Sequence, residues 1–269
     1  MKKWGLLLLI LVVALTGCGS GSAEKGEALP EDKLTIGVTA GPHEQIFEKV
    51  AEVAKKDGLE IDVKVFNEYV MPNVSLSENE LDANSFQTQP YLDQFKKDRK
   101  LDIVEVFDTV TFPLGIYSNK IKSLDDIKKG DKLGIQNDPI NLARALQLYE
   151  KAGLIKLKKD AGMDATQKDI VENPKNVKFV ELEASQIPRQ LDELTAATVN
   201  TNFAIEHGLK PKEDSLFIEG DDSPHVNLIA VRGENKNDKV LKKLEKAYRS
   251  KEVKDFILKE FDGAVLPSW

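Results

Sequence analysis

Arg144 is one of five arginines among 33 lysines, so its residue type is informative. A planar guanidinium holds a carboxylate through two parallel hydrogen bonds, which a lysine ammonium cannot do. Asn200, Asn202 and Asn227 could complement it, since an asparagine carbonyl accepts hydrogen bonds from an ammonium group. The competing role for such asparagines is turn formation at strand ends. Tyr69, Phe86 and Tyr91 cluster in sequence around Asn84 and Gln87, where they form either an apolar wall with polar edges or ordinary core.

Bond-making chemistry has little to work with. The three histidines, His43, His207 and His225, include no pair at metal-ligand spacing. There is no Gly-x-Ser-x-Gly elbow, phosphate-cradling glycine loop or dinucleotide fingerprint. Asp125-Asp126 and Asp221-Asp222 sit in polar, turn-like segments and read as solvated surface rather than a general acid/base pair. The expectation is a binding protein, not an enzyme, with neither cofactor nor metal.

The elements that must position these groups alternate along the chain. Leu34–Val38 is a β-branched run, followed by Gly41-Pro42 and a helical stretch from about His43 to Lys56. Further strands are expected at 61–66, 103–107, 114–117, 132–136, 177–182, 197–200, 215–218 and 228–231. Helices are expected after Pro72, at 90–97 and 124–128, and near the end at 238–248 and 252–260. Between them, Asp138 reads as a helix N-cap, Pro139 as the first helical residue and Gly153 as the stop. Leu142, Ala145, Leu146 and Tyr149 make the apolar stripe of that helix. Arg144 falls off the stripe, and the pattern alone leaves it exposed. The alternation predicts an α/β fold with largely parallel sheets, which leave crevices at the C-terminal ends of their strands.

The N-terminus carries an address. Lys2 and Lys3 precede an apolar run from Trp4 to Leu15, and Leu15-Thr16-Gly17-Cys18 contains the only cysteine. As a helix the run would span about 18 Å, short of the ~30 Å hydrocarbon core, so a cleaved signal is expected rather than a permanent span. Residues 1–17 read as the signal peptide and Cys18 as the lipid-acceptor thiol, carrying diacylglycerol and palmitate. Residues 18–32 are polar and Gly/Ser-rich, a flexible tether of roughly 20 Å. The address predicts lipid anchoring on the extracytoplasmic face of the cell membrane. With a net charge of −7 and interspersed basic and acidic residues, nothing suggests a nucleic-acid partner.

Over Leu34 to Trp269 the chain resembles the MetQ/NlpA family of methionine-binding lipoproteins. The resemblance rests on Gly37-Val-Thr-Ala-Gly-Pro-His43, Leu81-Asp-Ala-Asn84 with Phe86-Gln87 and Pro90-Tyr91, Gly115-Ile-Tyr-Ser118, Asn137-Asp-Pro139 with Arg144-Ala-Leu146, and Glu172-Asn-Pro-Lys-Asn176. It implies a two-lobed periplasmic-binding-protein fold, type II-like, with the ligand cleft between lobes. Lobe 1 would comprise 33–117 plus 226–269, and lobe 2 would be 118–225. It further implies a monomeric substrate-binding protein that delivers methionine, L or D, or a closely related amino acid or short peptide to an ABC permease and its ATPase. A sensing lipoprotein for another small apolar ligand is the alternative.

By the same resemblance Arg144 would clamp the ligand carboxylate, and Asn200, Asn202 or Asn227 would receive its ammonium. Tyr69, Phe86, Tyr91 and Asn84 would lie beside its side chain, with Thr88 nearby. The chain departs from the family pattern at Thr88, Val110, Phe112, Ile140 and Leu142. These changes are expected to make the pocket more apolar, suiting a larger apolar side chain or a methionine-containing dipeptide.

Overall fold

The computed structural model describes residues 27–220 and 223–269. Cys18, the signal peptide at 1–17 and the first part of the expected tether lie outside the described residues. Strand β1 (Lys33–Thr39) carries Leu34, Ile36 and Val38, all fully buried. It pairs in parallel on both sides, with β2 (Glu60–Phe66) and β3 (Ala83–Thr88). Helix α1 (Pro42–Lys56) connects β1 to β2 and buries Ile46, Phe47, Val50 and Ala54, the one-face spacing of an amphipathic helix. Helices α2 (Met71–Ser77) and α3 (Gln89–Arg99) flank β3 in the chain, and β4 (Ile103–Thr111) follows.

The chain then crosses to a second sheet. Strand β5 (Gly115–Tyr117) is followed by β6 (Lys132–Gln136), helix α4 (Pro139–Lys151), a small hairpin of β7 (Lys156–Leu157) and β8 (Ile170–Glu172), and β9 (Lys178–Leu182). Strand β10 (Ala196–Val199), helices α5 (Thr201–Glu206) and α6 (Pro211–Asp214), and β11 (Phe217–Ile218) complete this part. A second crossing returns the chain to β12 (Val226–Arg232), helices α7 (Val240–Tyr248) and α8 (Lys251–Glu260), and β13 (Leu266–Pro267). The first sheet has the order β13-β4-β12-β3-β1-β2 and the second β11-β5-β10-β6-β9. Each sheet has its own buried core. A third cluster joins Tyr69 and Phe86 of the first lobe to Ile187, Leu191, Val199 and Phe203 of the second, so the lobes are closed on each other.

Four differences from the expected fold have physical causes. Strand β3 was not expected, because Ala-Asn-Ser-Phe-Gln-Thr lacks a β-branched run. It is a strand because neighbours cover both faces, and burial from Ala83 to Gln87 outweighs weak propensity. The sheets are also mixed rather than largely parallel. Strand β12 runs antiparallel to β3 and β4, and β5 antiparallel to β10 and β11. A strand that enters a sheet from the other lobe starts at the cleft, where the parallel strands end. It must run back against them, as the pairing of Asn227 with Thr88 illustrates.

Strand β5 was expected with the first lobe but pairs in the second sheet, placing the first crossing at 112–114. Finally, residues 27–32 are not free tether. Leu29 is buried in the first core, and its N–H donates to the Asp238 carboxylate at 2.9 Å. Asn235 Nδ2 donates to the Glu27 carbonyl and Glu60 N–H to the Asp32 carbonyl. One apolar residue in a polar segment was enough to dock it.

Candidate functional site

A cavity lies between the two sheets, at the C-terminal ends of β1, β3, β6 and β10. Tyr69, Phe86, Gln87, Thr88 and Tyr91 form its first wall; Asn141, Arg144, Asn200, Thr201 and Asn202 form the second. His43, Phe112 and Asn227 complete the lining. Eight of the nine residues expected at a ligand site therefore meet in one cavity. Asn84 does not, and among the five departures from the family pattern only Thr88 and Phe112 reach the lining. Val110 and Leu142 face the cores, while Ile140 lies in a groove outside the cavity with Asp138 and Tyr91.

The first wall is aromatic. Tyr69 packs on Phe86 at 5.8 Å, on Tyr91 at 6.0 Å and, across the cleft, on Phe203 at 4.9 Å between ring centroids. Tyr91 donates to the Tyr69 carbonyl at 3.1 Å. Behind these rings three amides satisfy one another. Asn73 donates to Gln87, Gln87 donates to Asn73 and Asn84, and Asn84 donates to Asn73 and the Pro72 carbonyl, over 2.7–3.1 Å. Asn84 is thus part of a closed amide cluster and is not among the residues lining the cavity.

The second wall is polar and directional. Gln136 donates to Asn200 Oδ1 at 2.8 Å, Asn200 Nδ2 donates to Asn141 Oδ1 at 3.0 Å, and Asn141 Nδ2 donates to both oxygens of Asp138. Thr198 Oγ1 fixes the far end by donating to Gln136 Oε1. Asp138 also caps α4 by accepting from the Asn141 N–H at 2.9 Å. Burial pushes its carboxyl up, against the hydrogen bonds from Asn141. Both polar atoms of Asn200 take part in this relay, its oxygen accepting one hydrogen bond of the two it can take.

Arg144 is buried, not exposed, because α4 is covered on both its stripe and its flank: nine of its residues are buried. Its guanidinium makes a two-pronged ion pair with Glu219, Nε to Oε1 at 2.8 Å and Nη2 to Oε2 at 2.5 Å, with side-chain exposures of 6% and 9%. Nη2 also donates to the Phe112 carbonyl at 2.8 Å. Burial works to raise the Glu219 carboxyl, but the hydrogen bond and charge of Arg144 outweigh it and hold it below the usual range. The paired face of the guanidinium is therefore occupied within the protein. Three of its five N–H groups are used, leaving the two on Nη1 without a partner among the described residues.

Asn202 offers a second donor. Its Oδ1 accepts from the Tyr69 hydroxyl at 2.7 Å, while its buried Nδ2 has no partner. The role expected for Asn202 used its oxygen, whereas the atom left without a partner is its N–H. Asn227 lies across the cavity on the first residues of β12. His43, missed as a site residue, is 2% exposed, packs on Phe112 at 4.6 Å, and has an unpartnered buried Nδ1. Burial lowers its pKa to about 3, so the ring is neutral. Its place just after β1, at a strand end of an α/β fold, was the signal that could have found it. Among the described residues no three His, Cys, Asp or Glu side chains are placed to hold a metal ion, and no helix is long and apolar enough to cross a membrane.

Residues 34–269 match the family model described as NlpA lipoprotein. The chain is 46% identical over 264 residues to the D-methionine-binding lipoprotein MetQ of Salmonella typhimurium, covering 97% of this chain and 95% of that one. Among solved structures it is similar to a nutrient-binding protein from Burkholderia cenocepacia bound to methionine, with 48% identity and a TM-score of 0.86. That match covers 88% of this chain and all of the other. A crystal structure of the methionine-binding protein MetQ matches at 45% identity and a TM-score of 0.87, over 89% of this chain and 99% of the other.

Proposed function

The chain belongs to the NlpA lipoprotein family, and on that premise we propose that it is the substrate-binding protein of an ABC importer, with methionine or a closely related amino acid as cargo. Unpartnered donors on one wall of a closed cleft carry this reading. Arg144 Nη1 and the buried Asn202 Nδ2 are the groups a ligand carboxylate would satisfy, and leaving a buried donor such as Asn202 Nδ2 unpaired costs about 1–3 kcal/mol. Asn227, across the cavity from Arg144, is the amide we assign to the ammonium, since Asn200 and Asn202 each already accept one hydrogen bond. Tyr69, Phe86, Tyr91 and Phe112 supply the apolar surface for the side chain.

The protein performs no bond chemistry in this reading. Cys18 carries the lipid anchor, and residues 19–26 separate it from the docked Glu27–Asp32 segment. The monomer thus stays close to its permease and ATPase, raising its effective concentration there. Calorimetric titration with L-methionine, D-methionine, methionine dipeptides and other apolar amino acids tests the cargo. Saturable binding of methionine is expected. Heat with none of these ligands, or only with dipeptides, overturns the reading.

A further inference from the structure

The Arg144–Glu219 pair does more than neutralise a buried charge. It lies where both crossings between the lobes converge. Arg144 Nη2 donates to the carbonyl of Phe112, and the Leu114 N–H donates to Glu219 Oε2 at 3.0 Å, so both partners grip the first crossing at 112–114. Ser223 Oγ donates to the same Glu219 oxygen at 3.0 Å from within the second crossing. Glu219 itself directly follows β11 at the start of that crossing. Its two oxygens therefore accept from four donors on three separate segments.

This arrangement decides which face of Arg144 remains for a ligand. A guanidinium has two two-pronged faces that suit a carboxylate, and a free arginine in the cleft could turn either toward one. Glu219 takes the Nε/Nη2 face, and the Phe112 carbonyl takes the other Nη2 hydrogen. Only Nη1 is left. We propose that Glu219 is a positioning residue for carboxylate recognition: it fixes the Arg144 guanidinium so that Nη1 serves the cleft, and ties it to both crossings. A ligand carboxylate on Nη1 then adds to an ion pair that already spans the segments about which the lobes would move, which favours closed over open lobes. Glu219 touches no ligand and acts through Arg144. The inference rests on the proposed binding of an amino-acid carboxylate.

The test compares L-methionine with its neutral-carboxyl analogue L-methioninamide in the wild-type protein and two variants, by calorimetry. Wild type should prefer methionine by at least about 100-fold. In Glu219→Gln, an amide NH₂ faces donors where an oxygen stood. The preference should fall by at least about tenfold, while affinity for methioninamide changes less than about threefold. Glu219→Asp keeps the charge and shortens the reach; it should lose about threefold or more of the preference, and it decides the matter if Glu219→Gln does not fold. A preference surviving at its wild-type value in the folded variants overturns the proposal, as does an equal loss of affinity for both ligands, which would mark a merely structural role. A wild-type protein that does not discriminate between the two ligands overturns the carboxylate reading as well, so the two failures are distinguishable.

Discussion

The two walls of the cleft use the same residue type to opposite ends. On the first, Asn73, Asn84 and Gln87 close their hydrogen bonds on one another, and of the three only Gln87 reaches the cavity lining. On the second, Gln136, Asn200 and Asn141 form an open series that runs in one direction to Asp138, beside donors on Arg144 and Asn202 that remain unspent. An asparagine near a cleft is thus not a ligand contact by virtue of position. What its two polar atoms are already doing decides the matter. A closed cluster stiffens the wall that carries the aromatic surface, whereas an open series orients the wall proposed to meet the ligand's charges.

The strongest challenge to this contrast is Arg144→Ala. It should weaken methionine by at least about 2 kcal/mol through the lost charged hydrogen bond, measured by calorimetry. It should also destabilise the protein by about 3–5 kcal/mol in urea, because Glu219 is left buried and unpaired. Asn73→Ala should separate the walls next. Its loss opens the closed cluster and should cost about 2–3 kcal/mol of stability with little change in ligand affinity of the folded protein. A large affinity loss there would break the distinction between a structural and a recognising wall.

Acid should act on His43 and on His225, whose pKa burial lowers to about 4. Both bind protons more readily in the unfolded chain. The stability they allow is fully present above about pH 6.5 and lost as pH falls toward those values. Each should steepen the decline by about 1.4 kcal/mol per pH unit. Asp138, pushed up by burial, works in the opposite sense, because the folded state holds its proton better. Thermal melts from pH 7 to 5 should therefore fall less steeply in His43→Gln than in wild type. Smallest is Asn202→Ala, expected to weaken methionine by about 1–2 kcal/mol. Stability should change little, since the lost Tyr69 bond is offset by removal of an unpaired donor. An unchanged affinity would remove Asn202 from the recognising wall.

Much of the frame was legible in local pattern. The α4 start and stop followed from Asp138, Pro139 and Gly153, and the structure shows the expected cap and a left-handed Gly153. Strands rich in β-branched residues and the amphipathic helices α1, α7 and α8 were readable for the same reason: their signal is local. Strand β3 was not readable, because its strand state comes from neighbours on both sides. Nor was the docking of Leu29, which depends on Asp238, more than 200 residues away, and on the assembled first core.

The sequence by itself determined the apolar run ahead of Cys18, the alternation of strands and helices, and the residue types that could meet a zwitterion. Only the tertiary structure decided what each could offer. It buried Arg144, spent its paired face on Glu219, closed Asn84 into a cluster, engaged Asn200 in a relay and left Asn202 with a free N–H. The physical reason is that a polar side chain has a fixed number of donors and acceptors. Residue type sets that number, but distant parts of the chain determine how many remain.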